Sequence, residues 1–193
     1  MKKLAGFEKA APYADQAPLP VGGYILKILD ARETENSWGG SSLVISFDIE
    51  EGDYKGFFSK NYKAQTQEDK KWKGTARWNV PNDDGSEKDA KAMRAFKTMI
   101  TAIEDSNEGY HWDWDEIKLK GKIVGGVFGR KEYDFDGRHG FYTTCRNFKA
   151  VHAIREGSFK VPADWLLNRE QGTSIPSEIP EGFEPLSDED MPF

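Results

Sequence analysis

The chain has a single cysteine among its 193 residues, Cys145. One thiol cannot form a disulfide within the chain or furnish a cysteine-based zinc site, and it fits a reducing compartment, the cytoplasm. The three histidines, His111, His139 and His152, are scattered, and none stands at metal-ligand spacing from Cys145. No G-x-S-x-G, P-loop or dinucleotide-binding glycine pattern occurs. No apolar run approaches the ~18 residues needed to cross a bilayer. The opening stretch MKKLAGFEKAAPYADQAPLP lacks the apolar segment of a secretion signal. Acidic pairs such as Asp83-Asp84 and Asp113-Asp115 could hold Mg²⁺ in a nuclease, but the first falls in a turn and the second in a loop. The expectation is a protein that is not an enzyme, with no metal, no cofactor and no membrane partner.

Charge is plentiful but unevenly placed. The chain carries 27 Lys and Arg against 33 Asp and Glu. Seven of the acids (Glu170, Glu178, Glu181, Glu184, Asp188, Glu189, Asp190) lie after residue 169, where no Lys or Arg occurs. A nearly neutral body therefore ends in an acidic tail. Such asymmetry suggests nucleic-acid binding by the body and an interaction role for the tail, whose plainer use is solubility.

The hydrophobic pattern divides the chain into a flexible leader (1–20, with Pro12, Pro18 and Pro20), a domain (21–168) and the tail (169–193). GGYILKILDARETE reads as a long strand. LVISFDIE alternates, with Leu43, Ile45, Phe47 and Ile49 on one face of a half-buried strand. FFSKNYK reads as a third strand, and the polar stretch QTQEDKKWKGTARWNVPNDDG gives few cues. Ser86 can cap a helix with Asp89 three residues on, and Met93, Phe96, Ile100 and Ile103 share one helical face, ending near Ser106-Asn107. KIVGGVFGRKEYDF and GFYTTCRNFKAVHAI form a hairpin with Asp136-Gly137 at its tip. Gly125-Gly126 suggests a bulge or tight bend, and SFKVPADWLLNRE a closing turn of helix. Five strands with a helix between the third and fourth make a mainly β domain, laid out as a five-stranded Greek-key OB-fold barrel. An open antiparallel sheet with one helix has the same order.

Two clusters mix cations with aromatic rings. Between Lys55 and Trp78, Phe58, Tyr62, Trp72 and Trp78 are interleaved with Lys60, Lys63, Lys71, Lys73 and Arg77. Around the hairpin lie Arg130, Lys131, Tyr133, Phe135, Arg138, Phe141 and Tyr142. Cations neutralise phosphates and release counterions, and ring faces stack on unpaired bases, so the mixture suits single-stranded nucleic acid. An OB-fold would set these segments at its groove, with Trp38 of the first hairpin loop on another wall. Strand aromatics also fill cores, which leaves open which rings stack and which are buried.

The chain ends in PLSDEDMPF. A terminal Phe can enter an apolar pocket while its carboxylate meets a cation, acids lie along a basic ridge, and Pro192 stiffens the anchor. Asp188, Glu189, Asp190, Met191, Pro192 and Phe193 resemble the acidic tip of bacterial single-stranded DNA-binding proteins. In that family the tip docks replication, recombination and repair proteins. PVGGYILKILDARETE, LVISFDIEEGDYKGFF and KGKIVGGVFGRKEYDFDG resemble phage and prophage single-stranded DNA-binding proteins of the OB-fold class, over roughly residues 20 to 160. The resemblance implies sequence-independent protection of single-stranded DNA in the host cytoplasm, with partners recruited through the tip. The segment from Glu170 to Leu186, with Pro176, Pro180 and Pro185, departs from the family's longer Gly- and Gln-rich linker. Its tetramer does not carry over, and a homo-oligomer stays open. The rival reading is a recombination mediator or adaptor whose OB-fold binds protein.

Overall fold

The computed structural model describes residues 17–36 and 40–167. Period-two patterning builds the first hairpin. β1 (Gly22–Glu35) and β2 (Ser41–Ile49) pair antiparallel, with Ile28 opposite Phe47 and Ala31 opposite Ile45. Leu43, Ile45, Phe47 and Ile49 are buried with Leu26 and Ile28, as alternation requires of an inner face. β2 is not half-buried, however, because Ser42, Val44, Ser46 and Asp48 of the other face are buried too. Val44 stands in register between Arg32 and Arg77, two long side chains flanking a short one. Asp48 is taken up by the helix that follows.

That helix replaces the expected third strand, for FFSKNYKA is α1 (Phe57–Ala64). Aromatic residues favour strands, but tertiary hydrogen bonding decides otherwise. Gly56 holds the N-cap in the left-handed region, φ 70°, and has no side chain to cap with. Asp48 does so from β2: its Oδ1 accepts from Phe58 N at 2.9 Å and its Oδ2 from Ser59 N at 3.0 Å. Those N–H groups have no partner within a helix start. The third strand comes instead from the polar stretch. β3 (Thr75–Asn79) pairs with β2, setting Trp78 opposite Leu43 and Ala76 opposite Ile45.

α2 (Glu87–Glu104) starts where the capping pattern places it, with Ser86 Oγ accepting from Asp89 N at 3.1 Å. The reciprocal bond comes from another acid, since Asp84 accepts from Ser86 N while Asp89 accepts from Asn82 N. Ser86→Ala is expected to lower stability by about 1 kcal/mol, seen as an earlier urea midpoint. Phe96, Met99, Ile100 and Ile103 are buried against the sheet, while Met93 is only partly so.

After a 3₁₀ turn at Glu116–Leu119, β4 (Ile123–Phe135) and β5 (Arg138–Lys149) form the second hairpin. Asp136 (φ 50°) and Gly137 (φ 70°) both take positive φ at its tip, the type I′ geometry that Asp-Gly favours. The β4–β5 register shifts at Val127/Phe128, just past the paired glycines. Gly125 and Gly126 answer a close approach instead: an added Cβ would stand 2.4 Å from Ile154 Cγ1 and 2.4 Å from Leu26 Cδ1, respectively. β5 stops at Lys149. VHAI, expected to continue the strand, lies instead in α3 (Val151–Arg155), with Val151 N donating to Ser106 Oγ at 3.0 Å. The described chain thus has three α-helices rather than one. Of the stretch expected to close in a turn of helix, residues 158–167 are not helical and pair with β4 only at Trp165, and the rest lies outside the described residues. Leu19, placed in the leader by the sequence, is 4 % exposed and belongs to the core.

The five strands make one antiparallel sheet in the order β3-β2-β1-β4-β5, which does not close by hydrogen bonds. Its edges are β3 and β5, and Trp78 and Phe148 bridge them with ring centroids 4.4 Å apart. Phe47 sits at the centre, making edge-on contacts with Phe58, Phe128 and Phe148. No described helix is long and apolar enough to cross a membrane.

Candidate nucleic-acid interface

Register on the second hairpin sorts its residues into two faces. Lys131 pairs with Tyr142, Tyr133 with Gly140 and Phe135 with Arg138, and paired residues share a face. The Tyr133 ring lies over Gly140, where an added Cβ would meet its hydroxyl at 3.0 Å, and it approaches the Tyr142 ring at 6.3 Å. Phe135 is 55 % exposed and Tyr133 40 %, so two rings of this face are open to solvent. Four residues expected at the interface, Lys131, Tyr133, Phe135 and Arg138, are thereby brought together.

Arg130 falls on the opposite face and is already engaged. Its guanidinium makes a two-pronged ion pair with Asp164, with Nε 3.0 Å from Oδ1 and Nη2 2.5 Å from Oδ2. Phe141 shares that face, 5.1 Å below the guanidinium carbon. Asp164 belongs to a strap, residues 161–167, that lies along β4. Trp165 N donates to Arg130 O at 3.0 Å, and Glu132 N donates to Trp165 O at 2.8 Å. Leu167 N donates to Glu132 Oε2 at 3.0 Å. The strap thus adds a short parallel pairing at Lys131 and sends the Trp165 ring to the same side as Lys131. Lys131 Nζ lies 4.6 Å and the Arg146 guanidinium carbon 4.5 Å from that ring's centroid.

The other sequence cluster divides. Phe58 and Trp72 are 7 % and 3 % exposed and pack in the core, so neither offers a face to a base. The polar neighbours of Trp72 suggested a surface position, but its indole closes the core, donating from Nε1 to Gly74 O at 3.1 Å. Trp78 and Tyr62 are partly buried against the same core. Lys60 and Lys63 are carried by α1, Lys73 and Arg77 are exposed around β3, and Lys71 pairs with Asp69 at 3.3 Å. Arg32, which the sequence reading passed over, joins Arg77 on the outer face of the sheet. Its signal was the alternation that sets it opposite in sense to Ala31. The cleft at the base of the first hairpin loop is lined by Glu33, Glu35, Asn36, Gly40, Ser41 and Asn82. Two carboxylates make it a poor seat for phosphate. Trp38 and the tip Asp188, Glu189, Asp190, Met191, Pro192 and Phe193 lie outside the described residues.

Burial shapes the ionisation of this surface. It pushes the Lys131 ammonium down, as does the nearby Arg146 charge. It pushes the Tyr142 phenol up to about 12, against the pull of Arg146, and Tyr24 likewise to about 12, helped by Tyr54. Both phenols therefore stay neutral through the physiological range. The sign for stability follows from a folded pKa above the unfolded one. The contribution is whole below about pH 10 and is lost as pH rises towards 12. A near-ultraviolet absorbance titration is expected to show these tyrosines ionising late, with stability falling over the same window. Burial also pushes the Cys145 thiol up, despite its backbone hydrogen bonds, which leaves it a poor nucleophile. Among the described residues no three His, Cys, Asp or Glu gather as metal ligands. In comparisons with known proteins, no family model matches this sequence and no curated protein matches it.

Proposed function

We propose that this chain binds single-stranded DNA without sequence preference, protecting it during replication and recombination. The observation that carries the reading is one hairpin face holding Lys131, Tyr133, Phe135, Arg138 and Tyr142 together. Cations there meet phosphates and open rings meet bases. The strand order supports an OB-type barrel, because β3-β2-β1-β4-β5 is such a barrel opened along its β3–β5 seam, with α2 between the third and fourth strands. On this reading the β4–β5 hairpin is one wall of the groove, and the outer face with Arg32 and Arg77 is its floor. The acidic tip is the docking point for replication and recombination proteins, as in the proteins it resembles.

Titration of a fluorescently labelled oligo(dT) with the full chain, across a salt series, tests the proposal. Expected are saturable binding and a steep loss of affinity with salt. Lys131→Gln with Arg138→Gln is expected to reduce the slope of log K against log salt by about 1.4, at about 0.7 per phosphate contact. Absence of binding at low salt rules the reading out.

A second reading, an adaptor whose domain binds protein, draws on one other surface. Trp114 and Ile117, in and beside the turn that follows α2, are 68 % and 73 % exposed. Trp114 takes φ 66° and lies parallel to the Phe96 ring. On that reading Trp114→Ser with Ile117→Ser abolishes function while oligo(dT) binding was never present.

A further inference from the structure

β1 begins at Gly22, opposite Phe128, so β4 has no β1 partner from Gly129 to Phe135. The strap fills part of that bare edge. Its backbone is held on both sides of Trp165, by Arg130 O and by Glu132 N. Asp164 is fixed by Arg130, and Pro162 seats over Gly129, where an added Cβ would stand 3.2 Å from its ring. Yet Trp165 itself is 52 % exposed. An indole whose backbone is fixed while half its surface stays open carries little packing purpose. Lys131 and Arg146 lie over its ring, on the side of the hairpin where Tyr133, Phe135 and Tyr142 also lie.

We infer that Trp165 is a base-stacking contact for single-stranded nucleic acid, and that the Asp164–Arg130 pair positions it. The inference rests on the hairpin face being the nucleic-acid surface. It adds a residue from outside the strands and turns an apparent DNA contact, Arg130, into a support. Neighbouring cations supply the phosphate attraction that stacking alone lacks, and aromatic stacking accepts any base. The bridge to Lys131 sets the indole against the hairpin, where two cations lie over its ring and half of its surface stays open; a base stacking there takes the place of a cation.

The test uses the full chain with oligo(dT). Trp165→Ala is expected to weaken binding by about 5- to 150-fold, the range for one stacked base. The salt slope should stay unchanged, because no phosphate contact is lost. Trp165→Phe should retain most of the affinity but lose much of the tryptophan quenching. Asp164→Ala separates positioning from electrostatics. Removing an acid next to DNA should tighten binding if only charge mattered, whereas positioning predicts weaker binding despite the gained net charge. Wild-type affinity in Trp165→Ala, with wild-type binding present, overturns this inference and leaves the proposed function standing. So does equal loss in Trp165→Ala and Trp165→Phe with a lowered melting temperature, which marks loss of fold. No binding by the wild type overturns both.

Discussion

Trp72→Ala is expected to lower the stability of the domain by about 3–5 kcal/mol, the cost of emptying a large aromatic site in a core. The indole is buried, its Nε1 satisfied by Gly74 O, and its ring lies 5.9 Å from Tyr62 and 6.5 Å from Phe58. The site cannot collapse easily. Gly74 packs so closely that an added Cβ would stand 2.3 Å from Phe47 O, and Phe47 N donates to Gly74 O at 2.7 Å. The backbone after Trp72 is thus tied to β2, the Gln65 side chain holds Lys71 before it through both its N–H and its carbonyl, and the cavity stays. For a domain of this size the melting temperature should fall by about 6–20 °C. Affinity for oligo(dT), measured well below the new transition, should match wild type. A large affinity loss with unchanged melting temperature would return Trp72 to the binding surface.

Asp48→Ala is expected to cost about 2–4 kcal/mol, although it removes one small side chain. Its carboxylate accepts from Ile49 N at 2.8 Å as well as from the two N–H groups that open α1. Truncation leaves buried donors that Gly56 cannot serve. Asp48→Asn keeps one acceptor oxygen and should recover part of the loss. Urea unfolding of the two variants checks this, and equal midpoints for Asp48→Ala and wild type would show that water caps the helix equally well. Because α1 carries Phe58 into the core and Lys60 and Lys63 on its exposed side, the same variant should loosen those lysines.

What could be read from the sequence was whatever is specified locally. β2, the Asp136-Gly137 turn and the start of α2 each carry their signal within a few residues: an alternation, a positive-φ pair, a cap. α1 could not be read, because the group that starts it comes from Asp48 on another strand. β3 could not, because only Ala76 and Trp78 of its five residues face inward, among polar neighbours. The same limit blurred the candidate site. That Lys131, Tyr133, Phe135 and Arg138 gather on one hairpin was legible, because hairpin register follows from the turn. Phe58 and Trp72 were not, since sequence shows a ring but not which side of a core it meets. Trp165 was beyond reach. Its place depends on where β1 stops and leaves β4 uncovered, a fact of topology rather than of the strap's own residues.

The bridge between Trp78 and Phe148 has a consequence for how the molecule opens. β1 pairs with β4 over Gly22–Lys27 and with β2 over Leu26–Glu35, whereas β3 and β5 face each other across a line bridged by two rings. Amides on such edges escape through local opening, those around Leu26 and Lys27, where β1 has a partner on either side, only through a wider one. The domain therefore has one soft meridian, where hydrogen exchange should run ahead of the rest. A ligand that binds across it pays the conformational entropy of ordering it, and a second ligand that needs the same order then binds more tightly.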